Sequence, residues 1–437
     1  MTVIMEHHAN GTRYIASDFQ EQIKVDKLLR GRFFYATADA YIKGFNGQPK
    51  LLKGTKVYLY DNATKILPFG LAKDARNLLL ASGISVEVKN YTKKYVVTPA
   101  SGLEYTGGLT PYHYQNDAVQ TALDARYGMI HVPTAGGKTL ILSKIIEAVS
   151  CKKTVVVTDG RTLVTQIANK LKADFPNAEV LQWGNGKKET CPATDKPVII
   201  VSTYQSFHNQ SAEDYILDTD LVIIDECHLV AATTFSSVAK AIPMPTYRIG
   251  LSATPFRENG DEILLKAYLG DTIFSIDEEV LLKGGFITQP VIGTINLNKL
   301  SQNELKSFLK GRKTLIITER IASQDYLLDK FPFLDAINGN KSYTKRLDAF
   351  KLATEDCLLA TGVLDTGVDI PSIDTIIHYE PFDSVTKIQQ RNGRNLRLYK
   401  GKTVASIYHN LDSSKEKQVY RRMKRDLYNN PNVYRTK

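Results

Sequence analysis

Cysteine is scarce in this chain. The four cysteines, Cys151, Cys191, Cys227 and Cys357, are far apart and form no C-x-x-C pair. Zinc sites, iron–sulfur clusters and disulfide frameworks need closer spacing or greater density, so reduced, mostly buried thiols are expected. Long apolar runs are also missing. None approaches the ~20 residues that span a bilayer, so no membrane association is expected. The opening MTVIMEHHANGTRY lacks the basic-then-apolar order of a secretory signal. The expected location is the cytoplasm.

The 437 residues suffice for two or three domains with full cores. Hydrophobic content of 43% and charged content of 23% are ordinary for a globular protein. The balance of charge is basic, +10 from 56 Lys+Arg against 46 Asp+Glu. Such a balance favours a polyanionic partner, because neutralising phosphates releases counterions. It is equally compatible with an ordinary basic enzyme.

The richest stretch is Gly128–Thr139, GMIHVPTAGGKT. The apolar run Met129–Val132 reads as a strand, and Gly136 and Gly137 read as a tight turn. Lys138 and Thr139 open a segment, Leu140–Val149, with helical spacing of apolar residues. Strand, glycine turn, Lys-Thr and helix make a phosphate cradle. The glycines let backbone N–H groups converge, the helix N-terminus adds partial positive charge, and the ammonium adds a full one. In G-x-x-x-x-G-K-[ST] the first Gly falls on Val132. On these residues alone, a glycine turn before an ordinary amphipathic helix remains open.

Continuous β-branched strands follow: Thr154–Thr158, Val198–Ser202 and Leu221–Ile224. Such runs suit a parallel sheet buried on both faces. The third ends in Asp225-Glu226-Cys227-His228. Two acids at a strand's carboxyl end fit the second half of a nucleotide site. Asp225 is expected to hold Mg²⁺, and Glu226 to orient and deprotonate the attacking water. Arg248–Leu251 reads as a further strand, closed by Ser252-Ala253-Thr254-Pro255. Upstream, Gln115 in TPYHYQ can offer its amide to adenine N6 and N7.

A second series of strands and helices starts at Thr314–Thr318. It includes Cys357–Thr361, the segment GVLDTGVDIP (Gly362–Pro371) and Thr375–Tyr379. It leads to QQRNGRNLR, Gln389–Arg397. Arginines spaced by three share one side of a helix. On these residues alone a basic helix face on the surface is the favoured reading; placed across a cleft, Arg394 and Arg397 can instead meet a γ-phosphate as arginine fingers.

These segments together resemble the motifs of superfamily 2 helicases and translocases. The match runs through Gln115, Thr134–Thr139, Arg161–Gln166, Thr203, the DECH box, the SAT motif and Q-R-x-G-R-x-x-R at Gln390–Arg397. In that superfamily T-G-x-G-K-T is usual and the first Gly is often replaced, so Val132 is no objection and Ala135 is the one departure. The resemblance implies an α/β fold of two tandem RecA-like lobes, parallel sheets flanked by helices, behind a small α+β N-terminal domain. It implies ATP and Mg²⁺ as cofactors. Thr134, Gly136, Gly137, Lys138, Thr139, Gly367, Asp369 and Gln390 would face the nucleotide, with Thr139 and Asp225 on the metal. Lys138, Glu226, Arg394 and Arg397 would carry catalysis. His228, Ser252 and Thr254 would couple hydrolysis to movement, and Arg161, Thr203 and Thr361 would face nucleic-acid phosphate.

The expected domains are 1–105, 106–285 and 286–437. Thr98–Gly108, with Pro, Ser and three glycines, reads as the first linker. In the front domain, Lys56–Tyr60 and Ile84–Val88 alternate as strands, and Leu71–Ala81 reads as a helix stopped by Gly83. Cations and aromatics interleave there: Lys27, Arg30, Phe33, Phe34, Tyr35, then Lys89, Tyr91, Lys93, Tyr95. This suits a nucleic-acid surface and equally a solvated sheet face. The tail Lys415–Lys437 carries eight basic residues against two acids and repeats Val419, Met423 and Leu427. It reads as a basic amphipathic helix on the second lobe, with a nucleic-acid contact left open.

DECH, GLSATPFR, Tyr268–Gly270, GGFITQP (Gly284–Pro290) and the front domain resemble the XPB/UvsW-like group. The expectation is a DNA helicase or translocase, of phage or bacterial type, acting on branched or duplex DNA. RNA in hybrids is a further substrate class, and the protein is expected to be a monomer. An RNA helicase or the motor of a restriction-type system shares the same ATPase motifs.

Overall fold

A computed structural model describes the chain except residues 1, 9–10, 37–39, 44–48, 53–54, 92–96, 101–102, 185–186, 190–193, 207–217, 230–241, 243–244, 254–261, 338–342, 362–369, 381–384 and 437. The residues form two compact units. One comprises Met1–His131 with Thr139–Ser275, the other Ile276–Lys437 with the segment Val132–Lys138.

The first unit contains an eight-stranded sheet. Its order is Lys187–Lys188, Glu179–Gly184, Val198–Thr203, Lys153–Thr158, Leu221–Ile224, Tyr247–Ser252, Tyr127–His131 and Thr272–Ser275. All pairs are parallel except the first. Val198–Thr203 and Leu221–Ile224 are buried at every residue, as strands covered on both faces should be. The parallel register brings the carboxyl ends of five central strands to one edge of the sheet, where ligands of α/β folds bind.

The same unit holds the N-terminal module. Thr2–His8 pairs antiparallel with Gly11–Ala16 and parallel with Ser85–Asn90, and Ile66–Leu67 completes this sheet. Helices Phe19–Arg32 and Ala72–Ala81 supply Val25, Leu29, Ala75 and Leu79 to its core. Gly83, at φ +75°, ends the second helix in the left-handed conformation that the sequence predicts there, and Ile84 N–H closes back on the Leu79 carbonyl. That core also takes in Ala267, with Ile263 and Tyr268 packed against it, from helix Glu262–Leu269. The predicted linker is strapped down. Thr106 N–H donates to Asp174 O, Ala100 N–H to Ser150 O, and Leu103 is buried.

The second unit is a seven-stranded parallel sheet. Its order is Asp335–Ile337, Asp356–Ala360, Lys313–Ile317, Thr375–His378, Val404–Asn410, Gln289–Ile295 and Arg435–Thr436. Alternate residues feed two cores: Leu315, Leu358 and Ile376 face one, Ile316, Leu359 and Ile377 the other. The tail helix, Ser414–Asp426, buries Met423 and leaves Lys415, Lys417, Arg421, Lys424 and Arg425 exposed. Beyond it the chain is tied in by polar bonds: Tyr434 Oη donates to Glu278, Asn430 Nδ2 to Glu279, and Gln289 Nε2 to the Val433 carbonyl.

Candidate nucleotide site

The phosphate-loop segment leaves strand Tyr127–His131 through buried Val132, turns at Thr134–Gly137 and enters helix Lys138–Val149. Ala135 at φ +71° and Gly137 at φ +78° are both left-handed. Such a turn gathers successive N–H groups into an anion-binding concavity in front of a helix N-terminus. A Cβ at Gly136 would lie 2.5 Å from Val132 Cγ1 and 3.1 Å from the Pro133 carbonyl oxygen. The side chain that departs from the consensus thus fills the space above the glycine that cannot be replaced. Ala135 sits where the family usually has glycine, in a conformation that costs an L-residue roughly 1–2 kcal/mol. Ala135→Gly is therefore expected to stabilise the protein by about 0.5–1 kcal/mol after glycine's entropic cost, read as a raised urea midpoint. An unchanged or lowered midpoint would count against strain at this position.

Two strands away, Leu221–Ile224 delivers the acids. Asp225 N–H donates to Val157 O, and its own carbonyl accepts from Tyr204 Oη at 2.5 Å. Glu226 is left-handed, φ +48°, a conformation long polar side chains rarely hold without a constraint. Its carboxylate lies 3.5 Å from His228 Nδ1, and the same nitrogen is 2.9 Å from Ser252 Oγ. The acid box and the SAT strand are thereby joined through one buried imidazole. Asp159, at the end of the neighbouring strand, has its carboxyl pushed up by burial and by the nearby Glu226 charge. Asp159, Asp225 and Glu226 thus gather at the carboxyl edge, and carboxylates are hard oxygen ligands of the kind divalent cations take. Asp225, at the end of that strand, and Thr139, in the first turn of the helix after the loop, are the residues expected from sequence to hold Mg²⁺.

Gln115 is 3% exposed, and its Oε1 accepts from Tyr112 N–H at 2.9 Å. Its side chain also hydrogen-bonds Tyr114, so Gln115 is held by neighbours in its own helix. Thr203 ends strand Val198–Thr203. It is buried, its hydroxyl donates to Ser206 Oγ at 2.9 Å and accepts from Ser206 N–H at 3.1 Å, and so caps a turn. Thr361 is half-buried after strand Asp356–Ala360. The Arg161 side chain, Thr254, Gly367 and Asp369 lie outside the described residues.

In the second unit, helix Val385–Asn392 carries Gln390 and Arg391 and then stops. Arg394 and Arg397 follow on a turn, so they do not share a helix face as their spacing predicts. Gly393 N–H bonds Gln389 O, Arg394 N–H bonds Arg391 O, and Asn395 Nδ2 leaves the helix pattern to donate to the Ser406 carbonyl. Asn-Gly-Arg-Asn is turn chemistry, and it outweighs the periodicity. Arg391, 2% exposed, is held by Glu319 at 3.0 Å and acts as an anchor. Arg394 is 9% exposed. Burial lowers the pKa of Arg397. Its carbonyl accepts from Thr288 Oγ1 and that of Leu396 from Thr288 N–H, so the GGFITQP segment secures the end of the turn.

Comparison with known proteins agrees with this geometry. The helicase conserved C-terminal domain matches residues 297–399, and the type III restriction enzyme res subunit family matches 108–257. The ATP-dependent DNA helicase uvsW of Enterobacteria phage T4 is 22% identical over 438 residues, covering 87% of this chain and 86% of that protein. The chain belongs to the superfamily 2 helicases, in the UvsW/XPB-like group. Putative helicase 22 of Sulfolobus islandicus filamentous virus is 26% identical over 63% of this chain, which spans 58% of that protein. In fold, Saccharomyces cerevisiae Dbp5 bound to RNA and ADP BeF3 matches at TM-score 0.56 and 15% identity, over 75% of this chain and 90% of that one. Two RecA-like lobes in tandem are therefore the architecture, and ATP use follows from the helicase domains.

Two residues of this helicase escape a motif reading. His131 ends the phosphate-loop strand, with Nε2 2.9 Å from the Ala253 carbonyl of the SAT motif and Nδ1 3.0 Å from Ser275 Oγ. A carbonyl only accepts, so Nε2 carries the proton. The P-loop strand and the SAT strand are locked end to end by that bond. Lys402 donates to the carbonyls of Pro371 and Ile373 at 2.8 and 2.9 Å. Burial, with the Arg397 charge adding, pushes its ammonium down to about 8. Neither is flagged by spacing, because each acts on backbone carbonyls far away in sequence. Among the described residues no helix is long and apolar enough to cross a membrane.

Proposed function

We propose that this helicase is an ATP-driven DNA translocase that remodels branched DNA such as forks and four-way junctions, and R-loops where RNA pairs with DNA, in recombination, repair or replication. The observation that carries the reading is the extent of the match to a DNA helicase, uvsW, which runs through the front module as well as the motor. The front module supports it with a ladder of cations and rings: Arg30 over Tyr58 at 4.2 Å, Tyr58 across from Phe34, and Lys56 over Phe34 at 4.5 Å. Such a surface grips phosphate and stacks on bases with little sequence preference.

In this reading the loop N–H groups and Lys138 hold the β- and γ-phosphates, with Thr134, Gly136 and Gly137 shaping the loop. Thr139 and Asp225 hold Mg²⁺, which neutralises charge on the phosphate oxygens when bound. Gln115 and Gln390 orient the nucleotide, and Gly367 and Asp369 are assigned to the same task. Glu226 takes the proton of the attacking water, and Arg394 and Arg397 meet the charge that develops on the γ-phosphate. His228 and Ser252 report the state of Glu226 to the SAT strand. Thr254 is assigned to that relay, and Arg161 and Thr361 to nucleic-acid phosphate. The protein works as a monomer in a bacterial or phage-infected cytoplasm.

The test is ATPase stimulation on single-stranded DNA, duplex, fork, four-way junction and RNA of matched length over a salt series, with Lys138→Ala as the control lacking nucleotide-driven signal. Forks and junctions are expected to stimulate most, with affinity falling steeply as salt rises. Stimulation by RNA equal to that by forks would overturn the DNA assignment in favour of an RNA helicase. The match of residues 108–257 to a restriction subunit model keeps a second reading, the motor of a restriction-type system, for which duplex length and not branching would set the rate.

A further inference from the structure

Asn392 fills the unspecified position of Gln390-Arg391-x-Gly393-Arg394, and its side chain is turned inward, 3% exposed. Its Oδ1 is 2.8 Å from His378 Nε2 and its Nδ2 is 2.9 Å from Tyr428 Oη. The same phenol oxygen is 2.9 Å from His409 Nε2, and the two imidazoles stack with centroids 5.0 Å apart. All four side chains are buried. With the amide in this orientation, the protons have one assignment that also uses the Tyr428 hydroxyl as a donor. An amide oxygen only accepts and an amide NH₂ only donates. His378 therefore donates through Nε2 to Asn392, Asn392 donates to Tyr428, and Tyr428 spends its own proton on a bare His409 Nε2. Burial, with His378 alongside, holds the pKa of His409 well below the ordinary imidazole range, in keeping with that bare nitrogen.

His378 and His409 face each other in register on adjacent parallel strands, Thr375–His378 and Val404–Asn410. Tyr428 follows the tail helix Ser414–Asp426. The chain of bonds thus ties the last residue of the motif helix to two strand ends and to the C-terminal segment. Arg394 lies two residues beyond that point, on a turn no longer held by regular helical bonds. On its other side Asn395 is fixed to Ser406 O at 2.9 Å.

We propose that Asn392 and Tyr428 are positioning residues for the arginine finger: the directed chain His378–Asn392–Tyr428–His409 fixes the turn from inside, so that Arg394 is presented in one orientation. The proposal rests on the reading of Arg394 as a finger. It makes the C-terminal segment part of the alignment of the catalytic turn, and it assigns a task to a motif position that the family pattern leaves open.

The experiment uses full-length protein with Tyr428→Phe, which removes one hydroxyl, and Asn392→Asp, which keeps the side chain's shape but cannot donate to Tyr428. Each is expected to lower kcat by about 10- to 100-fold, the scale of a small misplacement, with KM for ATP and the thermal midpoint little changed. In an Arg394→Ala background, Tyr428→Phe is expected to have no further effect on residual turnover. Wild-type kcat in Tyr428→Phe, where Arg394→Ala is inactive, overturns the positioning role alone. An equal loss with and without Arg394 also overturns it, as does a lowered midpoint with kcat and KM shifting together, since the chain then serves only the fold. Normal turnover by Arg394→Ala itself would instead remove the finger reading.

Discussion

Glu226→Gln is expected to lower kcat for ATP by about 10³-fold while leaving nucleotide binding intact. Glu226 leaves a fully buried strand in a left-handed turn, 3.5 Å from His228 Nδ1. Glutamine has the same length and pays the same backbone strain, so the loop and its packing should persist. What disappears is the carboxylate proposed to accept the water's proton. Under the proposed function, binding depends on other groups, the loop N–H donors, Lys138 and Thr139, which the substitution leaves alone. Titration with a fluorescent ATP analogue and a single-turnover hydrolysis assay separate the two effects. Normal turnover would remove Glu226 from its role, and lost binding would mean that the turn had rearranged.

Arg394→Ala should cost at least as much, about 10³- to 10⁵-fold in kcat, the range seen when an arginine finger is withheld. The protein should stay folded. The turn keeps the Arg391–Glu319 pair at 3.0 Å, the Asn395–Ser406 bond at 2.9 Å and the Thr288 N–H on the Leu396 carbonyl at 2.7 Å. Turnover measured at saturating ATP, together with a thermal melt, checks both halves. A retained rate would assign the finger to Arg397 alone. A collapsed melt would make Arg394 a structural cation.

The strands that carry this chemistry are legible because their burial is complete. TVVVT, VIIVS and LVII have no polar face, and the strands match or extend each by a residue. Strand Gln289–Ile295 is less legible, because Pro290 and Gly293 interrupt it. The glycine is explained by a neighbour: a Cβ there would lie 2.6 Å from the Tyr408 ring of the adjacent strand. The N-terminal sheet is hard to read for another reason. Thr2–His8 carries polar and histidine positions, and its parallel partner, Ser85–Asn90, lies some eighty residues away. In the site, motif order brings the acids and the P-loop to one sheet. The contact between Ser252 Oγ and His228 Nδ1, 2.9 Å, joins two of the motifs. The local fate of the Thr203 hydroxyl, the end of the motif helix at Asn392 and the carbonyl contacts of His131 are set by three-dimensional neighbours. No spacing rule reports them.

Gly70 sits in the front module where a Cβ would come within 1.8 Å of the Lys266 carbonyl oxygen, and Leu71 shares a core with Ala267. The backbone of the module therefore rests directly on helix Glu262–Leu269, without side chains between. Cutting the gene at codon 105 would leave Ile263, Ala267 and Tyr268 facing water in a motor deprived of its support. The expected boundary near residue 105 is bridged by packing inside one compact unit. The front module's part in DNA binding is better dissected by surface substitutions at Arg30, Lys56 and Tyr58 than by truncation.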